Sequence, residues 1–446
     1  MARFFGTDGV RGVVGEDMTA DFAQKLAFAA GHILRKKNPQ GGVLIGRDTR
    51  ASGVMLEQAV AKGLSMAGLE AWLAGIVTTP GVAYLTIALG AVAGVVISAS
   101  HNPHHYNGIK FFSSAGAKLP DNEEDEIERV FRSLGNEPAP AASGLGGIRE
   151  IHAETQRYVK YLASPYEGIL TGIRLILDCA HGAAFQIAPK VFAIAGAEVK
   201  CVGASPDGRN INAGCGSLHP KVLQRLVVEE SADAGIGFDG DADRVILVDE
   251  NGNIIDGDHI LAIMAAEMKR GGRLPNDLVV GTTLSGLGLE ISLRQSGCRL
   301  LRAKVGDRYV LEMMRSEGAN LGGEPSGHVI FLDRSTTGDG LLTGLSVMEV
   351  MAKRGEPLSQ LASVMQPLPQ VMLNIPLRDN RSWQKDAAII ALLEKLESEL
   401  GGNGRLVVRS SGTEPVVRIM VEGINRDQIS RVAEQIAAAL TGSYGA

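Results

Sequence analysis

At 446 residues the chain is longer than one hydrophobic core sustains, so several domains are expected. Hydrophobic residues at 45% and charged residues at 21% are usual for a globular protein. The 44 basic against 50 acidic residues, with only 4% aromatics, argue against a nucleic-acid or anionic-membrane partner. The four cysteines (Cys179, Cys201, Cys215, Cys298) form no paired motif, which disfavours a zinc site or a disulfide framework and fits a reducing cytoplasm. Met1 to Gly6 has no apolar signal core. The uncharged run Ala71 to Ser100 is interrupted by Gly75, Thr78-Thr79-Pro80-Gly81, Gly90 and Gly94, so it predicts a buried strand, loop, helix and strand and no membrane span.

In chain order, Phe5-Gly6-Thr7-Asp8-Gly9-Val10-Arg11-Gly12 is a glycine-rich loop in which Arg11 could reach a phosphate. Phe22, Leu26, Ala29, Ala30 and Ile33 predict an amphipathic helix, and Val43 to Gly46 a strand. Ser52 is the expected cap of a helix through Met55, Leu56, Ala59, Val60 and Leu64, which Gly68 ends before a strand over Leu69 to Ala74. The pattern recurs with strands at Leu175 to Asp178 and Glu198 to Val202, and again at Leu278 to Gly281 and Arg299 to Val305, each pair enclosing a helix. After each unit an apolar strand runs into a polar loop: Ser98 to Pro103, Phe238 to Arg244, and Gly322 to His328. Strands alternating with helices predict mostly parallel sheets, with the three loops at equivalent strand ends facing one cleft. The Pro/Ala/Ser/Gly-rich stretch Gly135 to Gly147 reads as a linker, a hairpin turn is expected at Glu250 to Asn253, and Pro367-Leu368-Pro369 closes the third unit. The expected domains are 1–150, 151–252, 253–367 and 368–446, the last a smaller α+β cap with strands flanking Ser410 to Pro415.

Four stretches carry chemistry. Val95-Val96-Ile97 predicts a buried strand that stops at Ser98-Ala99-Ser100-His101-Asn102-Pro103, placing hydroxyls and an imidazole at a sheet edge. Asp239-Gly240-Asp241-Ala242-Asp243 sets three carboxylates at alternate positions, hard ligands suited to Mg²⁺ or Ca²⁺. An EF-hand is the competing reading, since Glu250 falls at that motif's last ligand, but Arg244 stands where it needs glycine. A solvated acidic turn is the plain alternative. Arg409-Ser410-Ser411-Gly412-Thr413-Glu414-Pro415 with Arg418 would make a dianion clamp, or simply a hairpin loop. Glu324, Ser326 and His328 are suited to sugar hydroxyls.

These stretches, in this order, resemble the α-D-phosphohexomutase family along essentially the whole chain, and within it the bacterial phosphoglucosamine mutases. The resemblance implies an α/β protein of four-domain, heart-shaped architecture: three similar mixed or parallel-sheet α/β domains and a smaller C-terminal α+β cap. It implies a phosphoserine at Ser100, with Ser98 the lesser choice, and Mg²⁺ held by the phosphoryl group with Asp239, Asp241 and Asp243. Arg11, His101, Lys110 and Arg244 would surround the reacting phosphoryl group, with His101 or Lys110 as general base. Glu324, Ser326 and His328 would contact the sugar, and Arg409, Ser411, Gly412, Thr413 and Arg418 the non-reacting phosphate. Val305-Gly306-Asp307-Arg308-Tyr309 is similar to the glucosamine branch. The implied reaction interconverts glucosamine 6-phosphate and glucosamine 1-phosphate through glucosamine 1,6-bisphosphate, supplying amino-sugar and cell-wall precursors. The implied partners are a sugar phosphate, a second copy docked through the first domain, and a kinase that primes Ser100. The competing functions are a glucose or mannose mutase of the same chemistry, a non-catalytic sugar-phosphate-binding protein, and a serine phosphatase.

Overall fold

A computed structural model describes residues 4–6, 8–38, 41–135, 144–378, 382–410 and 416–445. The chain forms two compact units, Met1–Leu284 with Gly297–Val364, and Ser285–Ser296 with Met365–Ala446. Among the described residues no helix is long and apolar enough to cross a membrane.

Among its described residues the first unit contains three sheets. The first uses β1 (Val10–Val13), β2 (Gly42–Arg47), β3 (Glu70–Ile76), β4 (Ala93–Ile97), β5 (Tyr106–Ser113) and β6 (Ile148–Glu150) in the order β1-β5-β4-β2-β3-β6. The second, from β7 (Arg174–Asp178), β8 (Glu198–Val202), β9 (Ala234–Phe238), β10 (Val245–Asp249) and β11 (Ile254–Ile255), has the order β11-β10-β9-β7-β8. The third joins β12 (Leu278–Thr282), β13 (Arg299–Ala303), β14 (Leu321–Gly323) and β15 (Val329–Phe331) in the order β13-β12-β14-β15. One plan underlies all three. A central strand (β2, β7, β12) has a parallel neighbour on each side, and one of them (β4, β9, β14) turns back into an antiparallel partner (β5, β10, β15). The three turn-back loops are those expected at equivalent strand ends, so the loose repeat in the sequence is a real repeat of topology.

Continuous apolar runs explain the interior strands: every residue of β4, β9 and β12 is buried, as in sheets covered on both faces. On the first sheet, α1 (Ala20–Lys37) and α2 (Gly53–Met66) bury Leu26, Ala30 and Ile33 with Leu56, Val60 and Leu64 against Val43, Ile45 and Val95. Thr19 Oγ1 caps α1 by accepting the Phe22 N–H at 3.2 Å, an interaction that typically contributes about 1 kcal/mol. Arg35, Lys36 and Lys37 complement the dipole at its other end. Ser52 stands before α2 as expected, but its hydroxyl makes no cap; it accepts from Asn107 Nδ2 at 2.9 Å and ties the helix start to β5. The interrupted run from Ala71 becomes β3, a loop, α3 (Thr79–Ala88) and β4.

Two details differ from the expected organisation. The two-residue β11 extends the second sheet past residue 252, whereas β6, beyond the linker, pairs back onto β3 within the expected first domain. The helix after β12, Leu287–Gln295, belongs by its contacts to the C-terminal unit and not to the third sheet. The reason lies in two hydrogen bonds from distant segments: the Leu287 N–H, a first-turn donor with no partner inside its own helix, donates at 2.9 Å to the buried carboxylate of Glu422, and Arg405 Nη1 donates to Ser285 O at 2.6 Å. Within that unit an antiparallel sheet of Gln370–Pro376, Gly404–Ser410 and Val416–Gly423 packs on helices Ala387–Leu400 and Arg426–Tyr444, with Ile389, Leu396, Val417, Ile419, Val421, Ile429 and Ile436 in the core.

Candidate active site

β4 ends at Ile97 and the chain turns sharply. Ser100 takes a left-handed backbone conformation, φ 50°, which costs a non-glycine residue roughly 1–2 kcal/mol. The turn is held by Ser98, whose Oγ accepts the Ser100 N–H at 2.9 Å and donates to Asp48 Oδ2 at 2.6 Å. The Ser98 hydroxyl is therefore committed to the loop. Ser100 Oγ instead donates to Asp239 Oδ2 at 2.6 Å and lies 3.3 Å from His101 Nδ1.

Asp239, Asp241 and Asp243 follow β9. Left-handed Ala242 (φ 56°) lets the loop turn, and one oxygen of each carboxylate lies within 4.8 Å of the others, all three side chains being buried. Thr79, at the start of α3, donates its hydroxyl at 2.5 Å to Asp241 Oδ2 and its N–H to Asp241 O. Asp241 Oδ1 and Asp243 Oδ1 are buried without a hydrogen-bond partner. Burial, reinforced by Asp243 and Asp241, pushes the Asp239 carboxyl well above the ordinary range. Burial would do the same to Asp243, but Lys110, His328 and Arg244 outweigh it and hold that carboxyl low. Three hard oxygen donors, two with buried oxygens that accept no hydrogen bond, and a serine hydroxyl against the third fit a divalent cation of the Mg²⁺ type. The EF-hand alternative fails: residues Val245–Asp249 are strand β10, and Glu250 accepts from the hydroxyl and N–H of Ser359.

Cations surround this cluster. Buried Lys110 on β5 reaches Asp241 Oδ2 at 2.9 Å, Asp8 Oδ2 at 3.0 Å and Asp243 Oδ2 at 3.6 Å. Burial disfavours its charge, yet these three carboxylates prevail and raise its pKa, so Lys110 stays protonated. Arg11 on β1 pairs with Asp8 and donates to Asn102 Oδ1 at 3.3 Å. Arg244 Nη1 lies 3.2 Å from His101 Nδ1, and the Arg244 N–H donates to Asp239 Oδ1 at 3.2 Å. Burial, with Arg244 and Arg11 nearby, lowers the His101 pKa to about 4, leaving a neutral imidazole beside Ser100. Asp8 and Lys118 form a further pair, and Lys118 reaches Asp307 Oδ2 at 2.5 Å. A groove of about 470 Å³ lined by His101, Asn102, His104, Asn212 and His219 opens beside the Ser100 loop.

The third loop meets the other two. Gly327 (φ 89°) is required, because a Cβ there would lie 1.9 Å from the Val245 carbonyl, next to Arg244. Glu324 Oε1 accepts the Gly306 N–H at 3.0 Å and Oε2 the Ser326 hydroxyl at 3.4 Å. His328 departs from the expected sugar contact. It is 2% exposed, its ring lies over Gly338, Nε2 accepts the Gly338 N–H at 3.0 Å, and Nδ1 is 3.8 Å from Asp243 Oδ2. Its two nitrogens are turned to protein groups, so it supports Asp243. Asp8, Asp48, Thr79 and Lys118 were not singled out in the sequence as site residues; Asp48, directly after a strand in an open α/β sheet, had a positional signal.

In the C-terminal unit Arg409 and Arg418 are cross-strand partners in register. Ser411, Gly412 and Thr413, between those strands, lie outside the described residues.

Family models named phosphoglucomutase/phosphomannomutase match the chain four times: α/β/α domain I at residues 2–137, domain II at 156–252, domain III at 256–368, and the C-terminal domain at 372–439. The chain belongs to this family. The resemblance to the phosphohexomutases is thereby borne out. A curated phosphoglucosamine mutase of Thermoanaerobacter sp. (strain X514) is 48% identical over 439 residues, 98% of each chain. One of Alkalilimnicola ehrlichii is 51% identical over 444 residues, 99% of this chain and 98% of that one. Among solved structures, a phosphoglucomutase/phosphomannomutase family protein of Burkholderia thailandensis superposes with a TM-score of 0.82 at 26% identity, over 99% of this chain and 97% of that chain. Family membership makes the Ser100–Asp239 cluster the candidate centre of a phosphohexomutase.

Proposed function

We propose that this enzyme interconverts glucosamine 6-phosphate and glucosamine 1-phosphate by way of phosphorylated Ser100 and a 1,6-bisphosphate intermediate. The observation that carries the reading is the Ser100 hydroxyl 2.6 Å from Asp239 within a three-carboxylate cluster ringed by Arg11, Lys110 and Arg244. The choice of an amino sugar rests on the phosphoglucosamine mutases that share about half of their residues with this chain over nearly full length.

In the first half-reaction the bond between Ser100 Oγ and phosphorus breaks as one forms from phosphorus to O1 of the sugar, whose hydroxyl loses its proton. In the second, Ser100 Oγ takes the phosphoryl group from O6, which regains a proton, and the 1-phosphate leaves. Positioning and charge neutralisation dominate such transfers. Asp239, Asp241 and Asp243 would hold Mg²⁺, which when bound neutralises charge on the transferring phosphoryl oxygens. Arg11 and Arg244 carry fixed positive charge to the same oxygens. Neutral His101, whose Nδ1 is 3.3 Å from Ser100 Oγ, suits the proton transfer better than Lys110, which is cationic and tied to three carboxylates. Glu324 and Ser326 orient sugar hydroxyls. Arg409 and Arg418, cross-strand partners, would grip the non-reacting phosphate, with Ser411, Gly412 and Thr413 as its further donors. A cytoplasmic setting, priming of Ser100 by a kinase or a hexose 1,6-bisphosphate, and a homodimer through the first domain accompany this reading.

Phosphorus NMR of the protein with Mg²⁺ and a trace of hexose 1,6-bisphosphate tests it, with glucosamine, glucose and mannose 6-phosphates at equal concentration. Conversion of the glucosamine ester far above the others is expected. Faster turnover of glucose or mannose would move the substrate, and free phosphate alone, or no change, would overturn the mutase.

A further inference from the structure

Arg50 belongs to none of the motifs above and does not touch the Ser100 hydroxyl, yet it is 1% exposed and uses its entire donor set. Nε donates to Asp48 Oδ2 at 2.9 Å; Nη1 to the carbonyls of Pro103 and Tyr106 at 2.5 and 2.9 Å; Nη2 to those of Ser100 and Asn102 at 3.0 and 2.8 Å. A guanidinium offers five N–H donors in a fixed fork, and here four of the five acceptors are main-chain carbonyls of the Ser100 loop and the first residue of β5 that follows it. Asp48 closes the circuit on the other side of Ser100. It accepts the Arg50 N–H at 3.0 Å and the Ser98 hydroxyl at 2.6 Å, and Ser98 Oγ accepts the Ser100 N–H. The peptide groups before and after Ser100 are thus both referred to one buried ion pair.

From the second sheet's side, Asn212 Nδ2 donates to the same two carbonyls, Ser100 O at 2.9 Å and Asn102 O at 3.1 Å. Each carbonyl then has both lone pairs occupied, one by each of these residues. Strained, left-handed Ser100 would relax if its surroundings did not over-determine it, and such strain persists only where they do. Arg50 and Asn212 supply that over-determination, and their bonds fix where Oγ sits relative to Asp239.

We propose that Arg50, with Asn212 opposite it, is the positioning residue that holds Ser100 in its reactive left-handed geometry, an inference that rests on Ser100 being the phosphorylated nucleophile. A lysine at position 50 keeps the charge but brings three donors from a single point, too few and wrongly spread for four carbonyls and a carboxylate.

The test uses the full chain with Mg²⁺ and hexose 1,6-bisphosphate, comparing wild type, Arg50→Lys and Asn212→Gly; glycine keeps the backbone at residue 212 (φ 59°) unstrained while removing the amide. Thermal unfolding first establishes that each variant is folded. A misplaced nucleophile predicts that kcat for glucosamine 6-phosphate falls about a hundredfold in Arg50→Lys and about tenfold in Asn212→Gly. KM is expected within about threefold of wild type in both, because no sugar or phosphate contact is removed. The phosphoserine phosphorus resonance is expected to shift in both variants. A folded Arg50→Lys with kcat within about threefold of wild type, or a loss that follows only the unfolded fraction, overturns the proposal. Should Arg50→Lys not fold, an unchanged kcat in Asn212→Gly overturns it alone. Wild-type protein that isomerises no sugar phosphate defeats the underlying mutase reading instead, and does so before any variant is compared.

Discussion

Lys110 gives the most direct test of the charge balance at the site. Its ammonium is 2.9 Å from Asp241, 3.0 Å from Asp8 and 3.6 Å from Asp243, and 1% of the side chain is exposed. With an effective dielectric constant of about 20, each of the two nearer pairs contributes about 5–6 kcal/mol of Coulomb energy, much of it offset by desolvation. Lys110→Met keeps most of the volume and removes the charge, leaving the carboxylates facing one another. Breaking a buried pair in this way costs about 3–5 kcal/mol, to be read from urea unfolding in chelator. Lys110 engages the Oδ2 atoms of Asp241 and Asp243 and leaves their Oδ1 atoms without a hydrogen bond, so it would not block a divalent cation at those oxygens, but its charge would oppose one. Mg²⁺ is therefore expected to bind Lys110→Met at least about tenfold more tightly by calorimetry, and to stabilise it more than it stabilises wild type. Wild-type stability of the variant in chelator, or weaker Mg²⁺ binding, would refute the reasoning.

Ser100→Ala is expected to abolish isomerisation and the phosphoserine resonance while glucosamine 6-phosphate still binds; residual mutase activity above about 1% of wild type would remove Ser100 from its role. Gly240→Ala would place a Cβ 2.6 Å from the Ser100 carbonyl and 2.9 Å from Asn212 Nδ2, so kcat should drop while thermal unfolding registers an overpacking cost of about 1–3 kcal/mol. An unimpaired kcat would show that the loop gives way without consequence. Asp339, which caps helix Gly340–Arg354 and accepts from Tyr158, is raised by burial to about 6. The folded state keeps this proton between the ordinary value and about 6, so its stabilising effect is full at low pH and lost as pH rises through that window, about 3 kcal/mol over two pKa units. Urea midpoints of Asp339→Asn should match wild type near pH 4, exceed it increasingly up to about pH 6 and level off above that; a difference that does not vary with pH would count against a buried Asp339 that is uncharged below that window.

Local chemistry along the chain was enough for much of this protein. Strand Glu198–Val202 matches its expected limits because a glycine precedes it and its extended pattern needs no distant partner to be recognised. The alternation of carboxylates at 239, 241 and 243, and the abrupt stop of a β-branched run at Ser98, are likewise properties of neighbours in sequence, and they pointed to the two loops that meet in the fold. What burial assembles from remote segments was not legible. Arg50 acts on backbone carbonyls some fifty residues away, and carbonyls leave no mark in a sequence. His328 has a side chain suited to a sugar, but its Nε2 accepts from Gly338 and its Nδ1 faces Asp243 at 3.8 Å. Ser52 had the position of a helix cap, yet Asn107 took its hydroxyl. The helix at Leu287–Gln295 joined the C-terminal unit because Glu422, far along the chain, satisfies its first turn. Each of these is a competition for a hydrogen-bond partner or a counter-charge. The sequence names the groups that can compete, and only the packed chain, by excluding water, decides which of them meet.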